Sequence, residues 1–590
     1  MENIEIAAVL EELGDLLEIR GSNPFRIRAY RNAVRTIRGL TRSLESMVES
    51  EEDLTELPAI GKDMSAHIVE LIETGKLTRL EELAAEIPRS LVDLVKLDGL
   101  GPKKAKKLWE SLDVKTVDEL EQALNAGRVQ SLEGFGATSV QKILRAIEDY
   151  RRYSGRFLLS EVDDLIGPLV EHLRGAKGLV RVEVAGSCRR RRETIGDVDL
   201  LVQAELPAPD VMERFITFGS VERVDLAGET RGAVVLRSGL EVDLRIIPPR
   251  SFGAALHYFT GSMEHNVAVR QLALKQGLRV NEWGVFRLPE GVDPDEVGKE
   301  DGERVAGETE ESVFEAVGLP WIPPVLRENR GEIEAGRHGS LPELVSLQDI
   351  KGDLHMHTTW SDGKASVAEM VAACLARGYE YLAISDHSPA LAMVQGLTPE
   401  KASEQWAEIR EVQGGVDGIT ILKSLEVDIL RDGSLDMTDE VLEALDVVIV
   451  SVHSLMDMDR QTMTDRVIRA MQHPSVDIVG HPTGRLLGRR EPFELDVEAV
   501  LQAAAELDVA VEINANPNRL DLSDVHARRA KELGVKVAIG TDAHSVRRLD
   551  HMSYGVDQAR RGWLEAEDVV NTMTMHQLRA WMGRRKKRRA

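Results

Sequence analysis

Cysteine is almost absent: there are two in 590 residues, Cys188 and Cys374, in segments of different character. Their separation excludes a disulfide framework and fits a reducing compartment, so the expected location is cytoplasmic. Long apolar runs are lacking as well. No stretch approaches membrane-spanning length, and the first residues, MENIEIAAVLEEL, are acidic and amphipathic rather than an apolar signal core. A soluble chain with no membrane partner is expected. Positive charge is in deficit, with Lys+Arg 74 against Asp+Glu 100 and a net charge of -26, which taken alone argues against a nucleic-acid binder. That total is an average, because basic residues cluster locally in RIRAYRNAVRTIR (26–38), GPKKAKK (101–107) and the tail RRKKRR (584–589). At this length one hydrophobic core is not enough, and several domains are expected.

Residues 1–155 read as helix almost throughout, with apolar residues at three and four spacing and short glycine turns between them. One turn recurs. LPAIGKDMSAHI (57–68), LDGLGPKKAKKL (97–108) and LEGFGATSVQKI (132–143) each run from an apolar residue through a glycine-bearing turn into a helix start. From about 156 the texture changes to alternating strands, VRVEVAGS, DVDLLV, AVVLRS and EVDLRII, so this segment is α+β. Residues 319–339, LPWIPPVLRENRGEIEAGRHG, carry proline, glycine and charge without apolar periodicity, and read as a linker. Beyond them short apolar strands alternate with helical stretches, each strand ending in polar residues. Repeated βα units of this kind predict a parallel barrel with its site at the strand C-termini.

In Asp197-Val198-Asp199 the two carboxylates lie one residue apart, so on a strand they share a face. Side by side they repel, unless divalent cations sit between them. Asp243, in EVDLR, is placed to supply a third ligand from a neighbouring strand. Upstream, Gly186-Ser187 ends a strand and leads into Arg189-Arg190-Arg191-Arg192, a glycine turn beside cations, as a polyphosphate site needs. DVD alone reads as a solvated turn; the combination favours chemistry.

In GDLHMHTTWSDG (352–363), His355 and His357 alternate on a strand and Asp362 follows in a loop. Strand-end acids and imidazoles then recur as His387, Glu426, His453, His481, Asp542 and His544. A lone HxH pair is weak evidence. Nine such groups at successive strand ends would leave one barrel mouth lined with unpaired polar groups, and bound metals remove that cost. Arg485, Arg489 and Arg490, in the loop after GHP, would guide a strand or form an ordinary solvated loop. The basic tail reads as a disordered solubilising end.

These motifs carry a family resemblance. GSCRRRRETIGDVDLL (186–201), the EVDLR strand and YFTGSMEHNVAVR (258–270) resemble the signature segments of a family X DNA polymerase of the DNA polymerase beta type over residues 1 to about 325. The histidine pattern resembles a polymerase and histidinol phosphatase (PHP) domain over essentially all of 350–580. The front resemblance implies that Asp197, Asp199 and Asp243 are catalytic and bind two Mg²⁺ ions, with Asp243 close to the primer 3′ hydroxyl. It places Gly186, Ser187, Arg190, Gly196, Arg156 and Gly261 around the nucleotide. Tyr258 and Phe259 would crowd the sugar 2′ position, and Asn266 and Arg270 would reach the base pair or template. The glycine turns correspond to helix-hairpin-helix motifs, in which Gly61, Gly99, Gly101, Lys103, Lys104, Gly134 and Gly136 would meet DNA phosphates. One departure stands out: members with 5′-deoxyribose-phosphate lyase activity use a lysine where ungapped matching places His67, and Lys62 is out of register, so no lyase is expected.

The barrel resemblance implies three ions: one held by His355, His357, Glu426 and Asp542, a second by Glu426, His453 and His481, and a third by Asp362, His387 and His544. Mixed imidazole and carboxylate shells suit Zn²⁺ or Mn²⁺. The implied fold is multidomain: an all-α helix-hairpin-helix region (1–80 with the first motif, 81–155 fingers-like with two more), an α+β nucleotidyltransferase palm (156–248), a thumb-like subdomain (249–325), a linker (326–349), a distorted (β/α)7 PHP barrel (350–583) and a basic tail (584–590). The implied function is a gap-filling DNA repair polymerase, as in base excision repair or end joining. It would act as a monomer on gapped or 3′-recessed duplex with deoxynucleoside triphosphates, and the barrel would act as a 3′-5′ exonuclease, 3′-end cleaner or abasic-site endonuclease. Two rivals remain: a DNA-binding front whose only enzyme is a small-molecule phosphatase barrel, and a metal-stabilised scaffold.

Overall fold

The computed structural model describes every residue except 1–2, 41, 51, 96, 98–99, 133, 137–138, 145, 148–155, 290–297, 392–393, 489 and 590. Gly99 and Arg489, both singled out above, lie outside the described residues. The chain divides into two compact units, Met1–Gly155 and Arg156–Ala590.

The first unit is helical. Asn3–Arg20, Pro24–Gly39, Lys62–Thr74, Pro102–Leu112 and Val117–Asn125 are its longer helices. They pack Leu10, Leu13, Ile37, Ile68, Leu108 and Leu120 into one apolar core. Gly61 and Gly101 each cap a helix in extended backbone, and Gly136 accepts the Val140 N–H at 3.0 Å, so all three turns end by opening a helix. Two residues before that cap the chain needs the left-handed region: Gly134 adopts φ 89, and in the first turn Ala59 takes φ 61.

The second unit begins with a five-stranded palm sheet, in the order Leu179–Val184, Asp197–Ala204, Glu241–Ile247, Arg231–Leu236, Val221–Ala227. Its middle pair is parallel and the other pairs are antiparallel. The helices Leu159–Arg174 and Pro209–Ile216 bury Val162, Ile166, Leu169 and Phe215 with the sheet's apolar side chains, and the helix Phe252–Thr260 packs Phe252, Ala255 and Leu256 with Ala185, Leu201 and Ile247. A three-stranded antiparallel sheet, Leu278–Asn281, Gly284–Arg287 and Glu303–Ala306, follows.

Residues 326–349, expected as a linker, are instead built into the fold. They include the helix Glu332–His338, and Arg327 and Glu332 are fully buried. The absence of an apolar stripe misled the reading, because this segment is held by paired charges: Arg327 to Glu310 at 2.6 Å, His265 to Glu332 at 2.7 Å, and Arg330 to Asp524 at 3.0 Å.

Seven parallel strands then follow in sequence order, from Gly352–Asp353 to Val537–Gly540. Their apolar runs, such as VVIVS (447–451), are buried on both faces, as parallel strands under helices must be. The Asp542 N–H donates to the His355 carbonyl and the His357 N–H to the Ala543 carbonyl, both at 2.9 Å, which joins the last strand end to the first. Capping residues start the return helices, among them Ser366 with Glu369, Asp496 and Ser523. The barrel's inner core, Leu354, Tyr381, Val447, Ile478 and Ala510, is closed by Leu578, Trp581 and Met582 of the last helix, Met575–Arg589. The basic tail is thus the end of that helix, in place of the expected disordered end.

Candidate metal centres

The palm register sets Asp199 directly opposite Asp243 on adjacent parallel strands, and Asp197 lies on the same face two residues earlier. Arg231 approaches Asp243 at a long 3.4 Å. Burial, and then the repulsion of Asp197 and Asp243, pushes Asp199 up to about 6. Three carboxylates forced together in this way fit hard divalent cations, whose oxygen preference and charge would relieve the repulsion. Gly186, at φ 62, lets the backbone approach this cluster: a Cβ there would meet Asp199 Oδ2 at 2.8 Å.

A cavity of about 600 Å³ opens beside the carboxylates, and its wall includes Arg156, Gly186, Ser187, Arg190, Asp197, Asp199, Tyr258, Phe259, Gly261, Asn266 and Arg270. Gly196 adjoins the Arg156 guanidinium. Arg156 holds the loop itself, donating to Thr194 Oγ1 at 2.8 Å and to the Thr194 carbonyl at 2.6 Å. Asn266 Nδ2 donates to the Tyr258 carbonyl at 2.6 Å, while its Oδ1 is buried without a partner. The same wall carries Arg192, the last of the four consecutive arginines, and Glu328, which the sequence reading did not assign.

At the barrel mouth all nine predicted side chains converge. Close donor sets form from His357, Asp362, His387 and His544; from His355, His357 and Asp542; and from His387, Glu426 and His453. His481 Nε2 lies 2.9 Å from Glu426 Oε1, so Glu426 stands at the centre. The grouping differs from that implied by resemblance, since His357 and His387 each reach two sets. His355 Nε2, both nitrogens of His357, His387 Nδ1 and His481 Nδ1 are buried with no hydrogen-bond partner. Orphaned polar atoms in such numbers are costly, and a cation is the group that satisfies them together. Burial, and then the neighbouring His387, pushes His357 down to about 3, whereas against its burial Glu426 and Asp428 hold His453 up at about 10. Two of the nine, His481 at φ 27 and Asp542 at φ 51, sit in the left-handed region, the kind of strain that gathers at functional sites.

A second layer of carboxylates escaped the sequence reading. Glu512 accepts from His355 Nδ1 at 2.7 Å and from the His481 N–H at 2.7 Å, and Asp428 faces His453 Nδ1 at 3.2 Å. These contacts fix ring orientation and leave the opposite nitrogens for metal. The acid in the strand VAVEIN was the available signal. Arg485 neither guides a strand nor lies in solvent: its guanidinium pairs with Glu193 of the palm at 2.6 Å. Arg490 donates to the Gly484 carbonyl at 2.7 Å. In the helical unit, Lys103 is exposed, while Lys104 turns to Ser139 Oγ at 3.1 Å. His67 faces the Tyr30 hydroxyl at 3.2 Å.

Comparison with known proteins agrees with this geometry along the chain. Family models match a helix-hairpin-helix domain at residues 1–77, a SAM-like helix-hairpin-helix tandem at 91–149, a DNA polymerase beta thumb at 255–328 and a PHP domain at 353–516. The DNA polymerase/3′-5′ exonuclease PolX of Bacillus subtilis (strain 168) is 38% identical over 586 residues, covering 99% of this chain and 100% of that one. The chain belongs to the PolX family. Relatives that match a smaller part of the chain include a probable phosphatase of Thermoanaerobacter sp. (strain X514), 29% identical over 236 residues, 37% of this chain and 89% of the relative. A probable phosphatase of Citrobacter koseri is 31% identical over 211 residues, 33% of this chain and 78% of the relative. As a PolX member with these donor clusters the chain depends on divalent metals, and its helix-hairpin-helix and thumb segments make DNA its partner. Among the described residues no helix is long and apolar enough to cross a membrane.

Proposed function

We propose that the chain fills short DNA gaps from deoxynucleoside triphosphates, and that its barrel hydrolyses DNA phosphodiesters at 3′ ends, acting as a cytoplasmic monomer in repair. The observation that supports this best is the pairing of Asp199 with Asp243 beside a cationic cavity, in a chain that aligns with PolX over its full length. Asp197, Asp199 and Asp243 would hold two Mg²⁺ ions, which supply activation of the primer hydroxyl and charge neutralisation on the leaving pyrophosphate. Arg190, Arg156 and Ser187 bind and orient the triphosphate, Tyr258 and Phe259 exclude a ribose 2′ hydroxyl, and Asn266 with Arg270 reach toward the base pair. In the barrel, the nine side chains would hold up to three Zn²⁺ or Mn²⁺ ions, which supply water activation and stabilise charge on phosphorus. Glu512 and Asp428 keep the ligand rings turned inward. The backbone N–H groups of the three glycine turns meet DNA phosphates without reading sequence.

Two variants test the division of labour. Asp243→Ala abolishes incorporation across a one-nucleotide gap and spares degradation of a 3′-recessed duplex, while His355→Ala does the reverse. Loss of both reactions in both variants would refute two independent sites. The names of the relatives matched over about a third of the chain favour a second reading, a small-molecule phosphatase barrel. Faster hydrolysis of a phosphate monoester than of the duplex would support that reading instead.

A further inference from the structure

We propose that Arg561, a barrel residue, is a positioning residue for nucleotide binding in the palm, an inference that rests on the cavity being the nucleotide site. Arg561 ends the helix Met552–Arg561, and its side chain is 2% exposed, so it does not touch substrate. Its Nη1 donates to the Arg190 carbonyl at 2.6 Å and to Glu328 Oε1 at 3.1 Å. The same Glu328 oxygen accepts from Arg190 Nε at 3.1 Å, and Arg190 Nη1 donates to the Thr260 carbonyl at 2.6 Å. Arg192 approaches Glu328 Oε2 at 3.8 Å, beyond hydrogen-bond range. Arg561 thus grips the cavity wall twice, once by the backbone of Arg190 and once through the carboxylate that steers its guanidinium.

Glu328 poses an electrostatic problem that Arg561 answers. A carboxylate on the wall of a pocket for a polyanion repels the ligand and holds the nearby arginines to itself. Here four guanidiniums (Arg190, Arg192, Arg330, Arg561) face two carboxylates (Glu328, Asp524), which leaves an excess of two positive charges. Asp524 is shared by Arg561 at 2.7 Å and Arg330 at 3.0 Å, so Arg561 keeps positive charge to spend on Glu328. Remove Arg561, and Glu328 is left to Arg330 and to the two cavity arginines, Arg190 and Arg192. Those two groups would then pair with the carboxylate instead of with phosphate. A second barrel grip holds the same palm loop, where Arg485 and Gln558 Nε2 both donate to Glu193 Oε1 at 2.6 Å. The phosphoesterase barrel therefore braces, from behind, the wall that shapes the polymerase pocket.

The test uses full-length protein in two assays, single-nucleotide incorporation across a one-nucleotide gap with Mg²⁺ and degradation of a 3′-recessed duplex. Arg561→Gln is expected to raise the KM for the deoxynucleotide about tenfold while kcat and duplex degradation stay within about twofold. Removing the stranded charge as well, in Arg561→Gln with Glu328→Gln, is expected to recover most of that KM. Arg561→Lys, which keeps the charge and loses the fork, should lie between, and it carries the test should the Gln variant unfold. An unchanged KM in the single variants, no recovery in the double variant, or an equal fall in both reactions would overturn the proposal while leaving the polymerase reading intact. A wild-type protein unable to incorporate any deoxynucleotide would instead overturn that reading and this inference together.

Discussion

In the palm Asp197 and Asp199 stand on the wall of a cavity with Asp243 beside them, whereas in the barrel six imidazoles and three carboxylates, most of them buried, gather at the strand ends. Asp243 keeps a side chain 33% exposed, but Glu426 and His357 are within a percent of full burial. The two centres face opposite physical problems. The palm carboxylates lie beside a cavity and repel one another, so a polyanionic nucleotide arriving with its own cations would relieve them. Buried imidazoles have lost their water and are left with orphaned nitrogens, so the barrel would gain by keeping ions bound between turnovers. Oxygen donors suit Mg²⁺, whereas imidazole donors suit a transition ion such as Zn²⁺.

The sharpest way to break that contrast is to strip both centres with a chelator and return one metal at a time. Mg²⁺ alone should restore gap filling to its full rate and leave duplex degradation at background, with Mn²⁺ or Zn²⁺ needed for the latter. Recovery of both reactions with Mg²⁺ would erase the distinction. Next in size is Gly186→Ala. Its Cβ would press on Asp199 Oδ2 at 2.8 Å from a left-handed backbone, and the displaced carboxylate should cost incorporation about a hundredfold, with degradation untouched. A smaller effect is expected from Glu512→Gln, which keeps the shape but weakens the hold on His355 Nδ1. Barrel metal affinity should fall about tenfold, read by metal content after dialysis, while incorporation is unchanged.

What the sequence made legible follows from range. Asp197 and Asp199 are two residues apart on a strand, and a period of two puts them on one face with no tertiary information. The barrel ligands were legible for a related reason: strand after strand ends in a polar group, which is how a parallel barrel presents its site. The supporting layer was not legible, because it is made by contacts distant in the chain. Glu512 reaches His355 across 157 residues, and Arg561 reaches Glu328 across 233. No local period announces such a pair. The misread linker shows the same blindness from the other side. Residues 326–349 look solvated by composition, yet Arg327 and Glu332 are fully buried, because each meets a partner in another segment.

The seam between the two centres offers the finest comparison, since neither metal set takes part in it. Burial alone would raise the Glu328 carboxyl, but Arg561, Arg190 and Arg192 outweigh it and pull the group down to about 2 from its ordinary 4.5. A carboxyl whose value is depressed on folding stabilises the folded state above its unfolded value, and that contribution is lost as pH falls through the folded one. The window for Glu328 therefore runs from about pH 4.5 down to about pH 2, and the shift corresponds to about 3 kcal/mol across it. Denaturant unfolding measured across this window should show a shallower acid slope in Glu328→Gln than in the wild type, by up to one proton. Parallel slopes would mean that Glu328 carries no net charge coupling, leaving pairs such as Arg485 with Glu193 to join the palm and barrel.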